Sequence, residues 1–437
     1  MRKKLIIPFF SILTLVSVSC SDNKDECRED QKIKERKSIS LNAQEIEMSR
    51  SLNEFPVSLL ISAYETESNE SGYSGNVMVS PLSTQMVLGM TMNSLEEGDR
   101  EEISRALNIR GSNISHFNTY SNTLLQNLGT LDPSISFSLN NGFWLSAKGV
   151  LNSEYEGLLK TSYSSDIDRF DEFDTGTVDA INQWTKANTG GAIDQILRKE
   201  DIDPSIMSVW LNTLYFKGSW TQKFNKEYTQ RSQFYGNFPH KTPTGNVDMM
   251  RGEGFRYVHS FSVSGSDEME DQIVSVMLPY GNESFVFIGV LPAESNPDIK
   301  STLSCLRGDY WQEIDNILSY EKDTPSDISV LLPRISLEKE MDLIPTLKGV
   351  GVSKLFEGVN VSASLGLPEL RVNIFRQKIK LDVDEEGSEI KVATVESGML
   401  TAPRPTFVEF NRPFIYFVRE RSTGAVLLAG VYDRPGI

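Results

Sequence analysis

The first half of the chain is patterned as helices. Residues 82–95 carry no charge before their end and mix apolar with small neutral side chains, which is typical of a buried helix. Ser80 and Pro81 precede this stretch, and a serine cap followed by proline at the first helical position favours a helix start. Further helices are predicted at residues 104–107 and 177–188.

The second half is patterned as strands. Residues 206–216 form a run rich in Val, Leu, Tyr and Trp, too continuous for a half-exposed strand, which predicts a position in the middle of a sheet. Two antiparallel hairpins are predicted where strand-like segments flank a turn signal, namely 273–278 with 284–291 and 414–420 with 425–431. Helices first and hairpins later predict an α+β fold with large antiparallel or mixed sheets.

The N-terminus is patterned as an export signal. Three basic residues precede an apolar stretch at residues 5–18, which is shorter than a helix that spans a bilayer. The stretch ends in Ser17-Val18-Ser19-Cys20, which resembles the processing site of bacterial lipoproteins and makes Cys20 the lipid attachment site. Residues 1–19 are therefore predicted to be a lipoprotein signal peptide. An ordinary signal peptide with a chance cysteine is the alternative.

A polar segment follows Cys20. Residues 21–26 resemble the acidic signal that sends some Bacteroidetes lipoproteins to the cell surface, and a solvated charged tether is the alternative. Residues 20–43 are poor in aromatic side chains and lack a sustained period, which predicts a flexible tether. We expect an exported protein that is lipid-anchored in the outer membrane and faces either the cell surface or the periplasm.

Residues 44–437 are predicted to form a single domain, because no break rich in Pro, Gly or Ser divides them. Apolar residues make up 39% and charged residues 24%, as in a globular protein. The net charge of −17 disfavours nucleic acid as a partner. Besides Cys20 only Cys27 and Cys305 are present, which is too few for a disulfide framework.

The sequence lacks the patterns of an enzyme. The histidines His116, His240 and His259 lie far apart and away from cysteine. Nucleophilic catalysis needs a nucleophile, a base and an orienting acid, yet no Gly-x-Ser-x-Gly motif occurs. His-Glu-x-x-His and Cys-x-x-Cys motifs are also absent. We expect no enzymatic activity, no metal and no cofactor.

Five segments, taken together, resemble the serpin family. They occur in the family's order and spacing and cover nearly the whole chain after the tether. The segments are 76–83 (Asn-Val-Met-Val-Ser-Pro-Leu-Ser), 182–191, 211–220 (Leu-Asn-Thr-Leu-Tyr-Phe-Lys-Gly-Ser-Trp), 385–389 (Glu-Glu-Gly-Ser-Glu) and 410–414 (Phe-Asn-Arg-Pro-Phe).

The resemblance implies a protease inhibitor that acts through an exposed loop at about residues 387–405. In this family a target protease cleaves the loop, which then inserts into a central sheet and traps the protease as an acyl-enzyme. The partner would be a serine or cysteine protease, and the inhibitor a monomer. The resemblance places the hinge of the loop at Glu386, Gly387, Ser388, Glu389, Ile390 and Val392.

The loop alternates as a strand would. One face after Gly387 reads Ser388, Ile390, Val392 and Thr394, and the other begins with the charged Glu389 and Lys391. No proline interrupts the stretch before Ala402. The pattern is compatible with insertion of the loop as a new strand.

The hinge departs from the family pattern. Inhibitory members usually have small residues where Ile390, Lys391 and Val392 stand, and bulky side chains favour a strand but slow its insertion. Slow insertion lets the acyl bond hydrolyse. The alternative is therefore a non-inhibitory binding or scaffold protein of the same fold, whose loop is cut as a plain substrate.

A second departure concerns the opening of the central sheet. Gln377 falls where the family usually has a histidine, so that pH dependence would be lost while hydrogen bonding is kept. The sheet-opening network implied by the resemblance comprises Ser80, Ser83, Asn212, Trp220 and Gln377.

The cleaved bond has several candidates. The family's spacing from Gly387 places the cleavage after Thr401, and the spacing back from Phe410 places it after Ala402. Met399 and Leu400 are adjacent and suit proteases with apolar pockets. Because no basic residue lies between Lys391 and Arg404, elastase-like, subtilisin-like or papain-like targets are favoured over trypsin-like ones.

Overall fold

The computed structural model describes residues 35–69, 75–109, 114–237, 242–255, 257–262, 265, 267–319, 328–387 and 406–435. These residues belong to one compact unit, Lys34–Ile437. The signal peptide, Cys20 and the first part of the tether lie outside the described residues. So do the hinge residues and candidate bonds of the loop, namely Ser388, Glu389, Ile390, Val392, Met399, Leu400, Thr401 and Ala402.

Helices dominate the first half, as predicted. In chain order they are α1 (Ala43–Leu52), α2 (Phe55–Ser68), α3 (Pro81–Ser94), α4 (Glu101–Ala106), α5 (Ile114–Asn127), α6 (Ser153–Ser162) and α7 (Thr175–Asn188). The later helices are α8 (Ile299–Cys305), α9 (Asp309–Ser319), α10 (Ile344–Gly349) and α11 (Ser362–Leu365).

Helix α3 confirms the prediction of a buried helix. Ser80 caps it by accepting a hydrogen bond from the Ser83 N–H group, and Pro81 occupies the first turn. Nearly all of its side chains are buried, including the polar Thr84, Gln85 and Thr91. A helix without a charged face has no side that gains from contact with water, so it lies in the core.

Strands dominate the second half. In chain order they are β1 (Asn76–Val79), β2 (Ser136–Ser146), β3 (Asp166–Phe170), β4 (Ser208–Lys217), β5 (Gln230–Asn237), β6 (Thr242–Phe255), β7 (Tyr257–Ser262), β8 (Gln272–Tyr280), β9 (Phe285–Leu291), β10 (Ile328–Pro333), β11 (Ile335–Asp342), β12 (Val359–Val361), β13 (Leu367–Leu370), β14 (Arg376–Val383), β15 (Thr406–Glu409), β16 (Phe414–Glu420) and β17 (Val426–Tyr432).

Two larger sheets contain most of the later strands. The first has the order β1-β17-β16-β9-β8-β7, and the second has the order β15-β10-β6-β5. Both predicted hairpins are confirmed, since β8 pairs antiparallel with β9 and β16 with β17. All side chains of β9, β16 and β17 are buried, which makes the six-stranded sheet the centre of the core.

The prediction that residues 206–216 lie in the middle of a sheet needs correction. In the described ladders β4 is the end strand of the order β3-β2-β4, while β11 and β14 form a separate pair. Eight of the ten residues of β4 are only partly buried. The apolar run fits this position because the outer edge of β4 faces β14 across a cavity of about 670 Å³ that both strands line.

The body begins earlier than predicted. Ile39 is only 6% exposed, and its N–H group donates to the Ser422 hydroxyl at 2.8 Å. The Ser284 hydroxyl donates to the Lys37 carbonyl at 2.9 Å. Ile39 and the backbone of Lys37, both assigned to the tether, therefore contact the body, while most of residues 35–42 stay exposed.

The replacement Ile39→Ala tests this packing. We expect a loss of about 2 kcal/mol, at the lower end for a buried isoleucine, which lowers the melting temperature by about 2–4 °C. The control is Ile46→Ala in α1, because Ile46 is 40% exposed and should change stability by less than about 0.5 kcal/mol. Equal melting temperatures for the two variants, measured by circular dichroism, would contradict the packing of this segment.

Candidate hinge and sheet-opening site

Gly387 fits its place because it lacks a side chain. Its φ is +113°, and a Cβ added there would lie 2.3 Å from the Trp220 nitrogen and 2.5 Å from the Gly218 carbonyl oxygen. Both neighbours are backbone atoms that cannot move aside easily. A bridge between Ser219 and Gly387 fixes this approach. Gly387, at the start of the loop, is therefore held against the residues that directly follow β4.

Trp220 lies at the hinge. Its ring stacks on Tyr280 with the ring centroids 4.4 Å apart, and it is 3% exposed. The Trp220 indole N–H donates to the Asp384 carbonyl at 2.8 Å, and its backbone N–H donates to the Glu386 carbonyl at 2.9 Å. Trp220 was predicted to belong with Gln377, but its contacts join it to the hinge residues instead.

The buried carboxylate of Glu385 ties the hinge to residues beside neighbouring strands through hydrogen bonds. Glu385 is 1% exposed and accepts hydrogen bonds from Arg334 Nε at 3.0 Å and Arg334 Nη2 at 2.6 Å, and a further one from the Thr229 hydroxyl. Burial alone would raise the pKa of Glu385, but the hydrogen bonds from Arg334 and Thr229 and the arginine charge lower it below its usual value. Glu385 is therefore ionised and paired at neutral pH.

Glu386 makes a second set of ion pairs. Its carboxylate lies 2.8 Å from Lys223 Nζ and 3.2 Å from Lys226 Nζ. Burial opposes ionisation, but the two lysines lower the pKa of Glu386 overall. The neighbouring Asp384 is different, because burial and the adjacent glutamate charges raise its pKa. Of the hinge residues predicted from the sequence, Glu386 and Gly387 are described, and both are tightly held.

Arg334 and Thr229 were not predicted as site residues. Arg334 is the single basic residue between two strand segments, β10 and β11, and an isolated charge at such a junction was the available signal. Thr229 carried no signal, because a threonine before a strand is ordinary. Only the fold brings these residues to Glu385, from which they are more than 50 positions away in sequence.

Gln377 joins β14 to the start of α3. Its amide oxygen accepts a hydrogen bond from the Ser80 N–H group at 2.7 Å, and its amide nitrogen donates to the Ser80 carbonyl at 3.2 Å. The Ser80 hydroxyl contacts the Ser83 hydroxyl at 3.0 Å and donates to the Leu427 carbonyl at 2.7 Å. Three of the five residues predicted for the network, Ser80, Ser83 and Gln377, are therefore in one place.

Asn212 faces the same place from β4. It lines a small cavity of about 70 Å³ together with Ser80, Ser83 and Gln377. Its amide nitrogen donates to the Asn141 side chain at 2.8 Å, whereas its buried amide oxygen has no hydrogen-bond partner in the described part of the chain. Asn212 therefore lies opposite Gln377 across the cavity, without a direct bond to it.

The edges of β4 and β14 face each other along their length. No backbone ladder joins these strands in the described residues. The larger cavity between them is lined by Leu214 and Phe216 on one side and by Ile379 and Leu381 on the other. Unpaired strand edges with apolar side chains can accept a further strand between them.

The described residues give no sign of a metal site or a membrane span. No group of three or more His, Cys, Asp or Glu residues could hold a metal ion among them. No helix in the described ranges is both long enough and apolar enough to cross a membrane.

Comparison with known families assigns the chain. A family model described as serpin (serine protease inhibitor) matches residues 51–435. The chain belongs to the serpin family. Serpins are not catalysts, so the prediction that the chain is not an enzyme is confirmed.

Individual relatives and solved structures agree. The chain is 27% identical over 386 residues to a leukocyte elastase inhibitor of Xenopus tropicalis, covering 84% of this chain and 95% of the relative. It is 25% identical over 385 residues to human serpin B3, covering 82% of this chain and 94% of the relative.

The structure of the thermophilic serpin tengpin in its native state matches with a TM-score of 0.72 and 21% identity, covering 91% of this chain and 96% of that one. The structure of human glycosylated kallistatin matches with a TM-score of 0.75 and 20% identity, covering 90% of this chain and 99% of that one. These likenesses confirm the α+β serpin fold.

The replacement Glu385→Gln tests the buried ion pair. We expect a loss of about 1–2 kcal/mol at neutral pH, less than for a fully buried pair because Arg334 is 42% exposed. The lowered pKa means that the contribution is complete above the ordinary value of 4.5 and is lost as the pH falls through the folded-state value. The difference from wild type, measured by thermal melts, should therefore shrink in acid.

Glu386→Gln is the matched control, because the partners of Glu386 are lysines that are 40% and 48% exposed. We expect a loss below about 1 kcal/mol. A larger loss for Glu386→Gln than for Glu385→Gln would contradict the assigned role of Glu385.

The replacement Gln377→His tests the bond to Ser80. A neutral imidazole can accept the Ser80 N–H group, but a protonated one cannot, so folding would lower the pKa of the new histidine. Its stabilising contribution is present above the unfolded pKa of about 6.5 and is lost below it, by about 1.4 kcal/mol for each tenfold loss of proton affinity on folding. The variant should lose stability from pH 8 to pH 5 relative to wild type in thermal melts, and a constant difference would contradict this contact.

Proposed function

We propose that the protein is an inhibitor that a target protease cleaves in its loop and that traps the protease as an acyl-enzyme. The observation that supports this most is the pair of unjoined edges of β4 and β14, with the hinge glycine fixed at their end. Leukocyte elastase inhibitor, a relative by sequence, is named as an inhibitor.

The energy of insertion is sufficient for such a mechanism. A strand placed between two open edges gains about a dozen backbone hydrogen bonds at roughly 1 kcal/mol net each. This is comparable to the whole stability of a domain, about 5–15 kcal/mol. The uncleaved protein would therefore be metastable, and cleavage would raise its melting temperature.

The favoured targets are elastase-like, subtilisin-like or papain-like proteases. Met399, Leu400, Thr401 and Ala402 offer small or medium apolar side chains at the candidate bonds. Arg404 stands between two prolines, a poor setting for a trypsin-like enzyme. We further propose that Cys20 is lipidated and anchors the protein in the outer membrane, facing either the cell surface or the periplasm.

The test is a denaturing gel of residues 21–437 mixed with pancreatic elastase or subtilisin. We expect a band at the summed mass of inhibitor and protease that survives denaturation, together with a cleaved fragment. Cleavage without that band, for every protease of the three classes, would favour the non-inhibitory alternative.

The variant Ser388→Arg tests insertion itself. The alternation of the loop sequence predicts that Ser388 lies on the face of the inserted strand that becomes buried, and a buried unpaired charge there costs several kcal/mol. We expect cleavage at the wild-type rate, no covalent band and no rise in melting temperature. Glu389→Arg is the matched control on the opposite face and should still form the band. Loss of the band in both variants would contradict the assignment of faces.

A further inference from the structure

Exposed aromatic side chains stand at both ends of the loop. Tyr228 is 45% exposed and Phe407 is 51% exposed. Large hydrophobic side chains with this much exposure are few in the described residues, the others being Ile46, Val150 and Met269. Single exposed apolar residues need no explanation, but two that flank one functional segment do.

Tyr228 is held beside the hinge by its neighbours in sequence. It ends a short 3-10 helix, Lys226–Tyr228. Lys226 Nζ lies 3.2 Å from the Glu386 carboxylate, and the Thr229 hydroxyl donates to Glu385. The residues on both sides of Tyr228 are thus tied to the N-terminal end of the loop, while its ring stays in contact with solvent.

Phe407 is held at the other end. It lies on β15, opposite Ser329 of β10, and its neighbour Val408 is buried at 6% exposure. The Arg251 guanidinium lies over the Phe407 ring, 5.4 Å from its centroid, and pairs with Glu253 at 2.9 Å. This cation–π contact orients the ring and leaves about half of it free.

A protease that cuts the loop must touch more than the loop. Protease–inhibitor interfaces bury about 800 Å² on each partner, contributed by roughly 20–30 residues a side, and the loop of about residues 387–405 falls just short of that range. The body beside the two loop ends must supply the remainder. Tyrosine and arginine are enriched among the residues that dominate binding energy, and an aromatic side chain can bury about 150–250 Å².

We propose that Tyr228 and Phe407, one beside each end of the loop, form a docking surface for the body of the target protease. The inference rests on the proposed function, since it takes the loop as the bait. The matching surface on the protease would be apolar. The neighbouring cations Lys226 and Arg251 are already paired with Glu386 and Glu253, so the contact should depend little on salt.

The test compares Tyr228→Ala and Phe407→Ala with wild type, each as the chain from residue 21 to 437. With elastase or subtilisin, whichever forms the covalent complex, we expect the second-order rate constant to fall about 5- to 10-fold in each variant. The stoichiometry of inhibition should stay unchanged, because loop insertion follows docking.

The matched controls are Val150→Ala and Met269→Ala, whose side chains are 71% and 73% exposed. Val150 lies against α11, and Met269 precedes β8 at the end opposite to Tyr280, which packs on Trp220. Both controls should keep the wild-type rate constant. Equal rate constants in all four variants would overturn the docking surface.

Two further measurements separate docking from other effects. A synthetic peptide of residues 387–405 should be cut more slowly than the loop of the intact protein. It should be cut no faster than the loop of the double variant Tyr228→Ala/Phe407→Ala. The ratio of wild-type to variant rate constants should persist at high salt, and a ratio that collapses there would contradict an apolar contact.

The outcomes also distinguish this inference from the proposed function. A covalent band with unchanged rate constants sinks the docking surface alone. If wild type forms no covalent band with any protease, the proposed function fails, and the rate of loop cleavage in the same variants still decides whether the two aromatic residues dock the protease.

Discussion

The unjoined edges of β4 and β14 are the constraint on which the rest of the structure depends. Strand edges expose N–H and C=O groups that favour pairing with any suitable segment, so a protein that keeps them must control what reaches them. Here the chain leaves β14 through Gly387, which forms a β-bridge with Ser219 just after β4. The segment with the shortest path to both edges is therefore the loop of the protein itself.

Two sets of contacts of different kinds hold β14 and the residues that follow it, one at the hinge and one at the start of α3. At the hinge, Glu385 is almost fully buried, and Arg334 and Thr229 stabilise its charge, so removing the pair costs about 1–2 kcal/mol. At the start of α3, Gln377 makes two neutral hydrogen bonds to Ser80, which can be exchanged for others as the strands move apart. The hinge is thus held by ion pairs and by the backbone contacts of Gly387, and the region beside α3 by neutral hydrogen bonds.

The sequence predicted the elements better than their neighbours. The caps of α3 and the turns of the two hairpins are local signals, and both are confirmed. The run at residues 206–216 looked central because periodicity reports burial and not which strand lies alongside. Arg334 meets Glu385 only through the fold, and Trp220 was grouped with Asn212 and Gln377 because one family segment, 211–220, contains both Asn212 and Trp220. The packing of Ile39 was missed because one apolar residue in a polar segment has no period.

The bulky hinge residues acquire a physical context from this sheet. Under the proposed mechanism, Ile390 and Val392 would have to pass between β4 and β14, beside the two hydrogen bonds that join Gln377 of β14 to the backbone of Ser80 at the start of α3. Breaking two such bonds costs about 2 kcal/mol, far less than the roughly dozen that a new strand would form. Under the proposed mechanism the balance would therefore favour insertion, and the size of these side chains would affect mainly its rate. For the proposed inhibitor, whether trapping outruns hydrolysis would thus be decided by how fast β4 and β14 separate, and not by the stability of the final sheet.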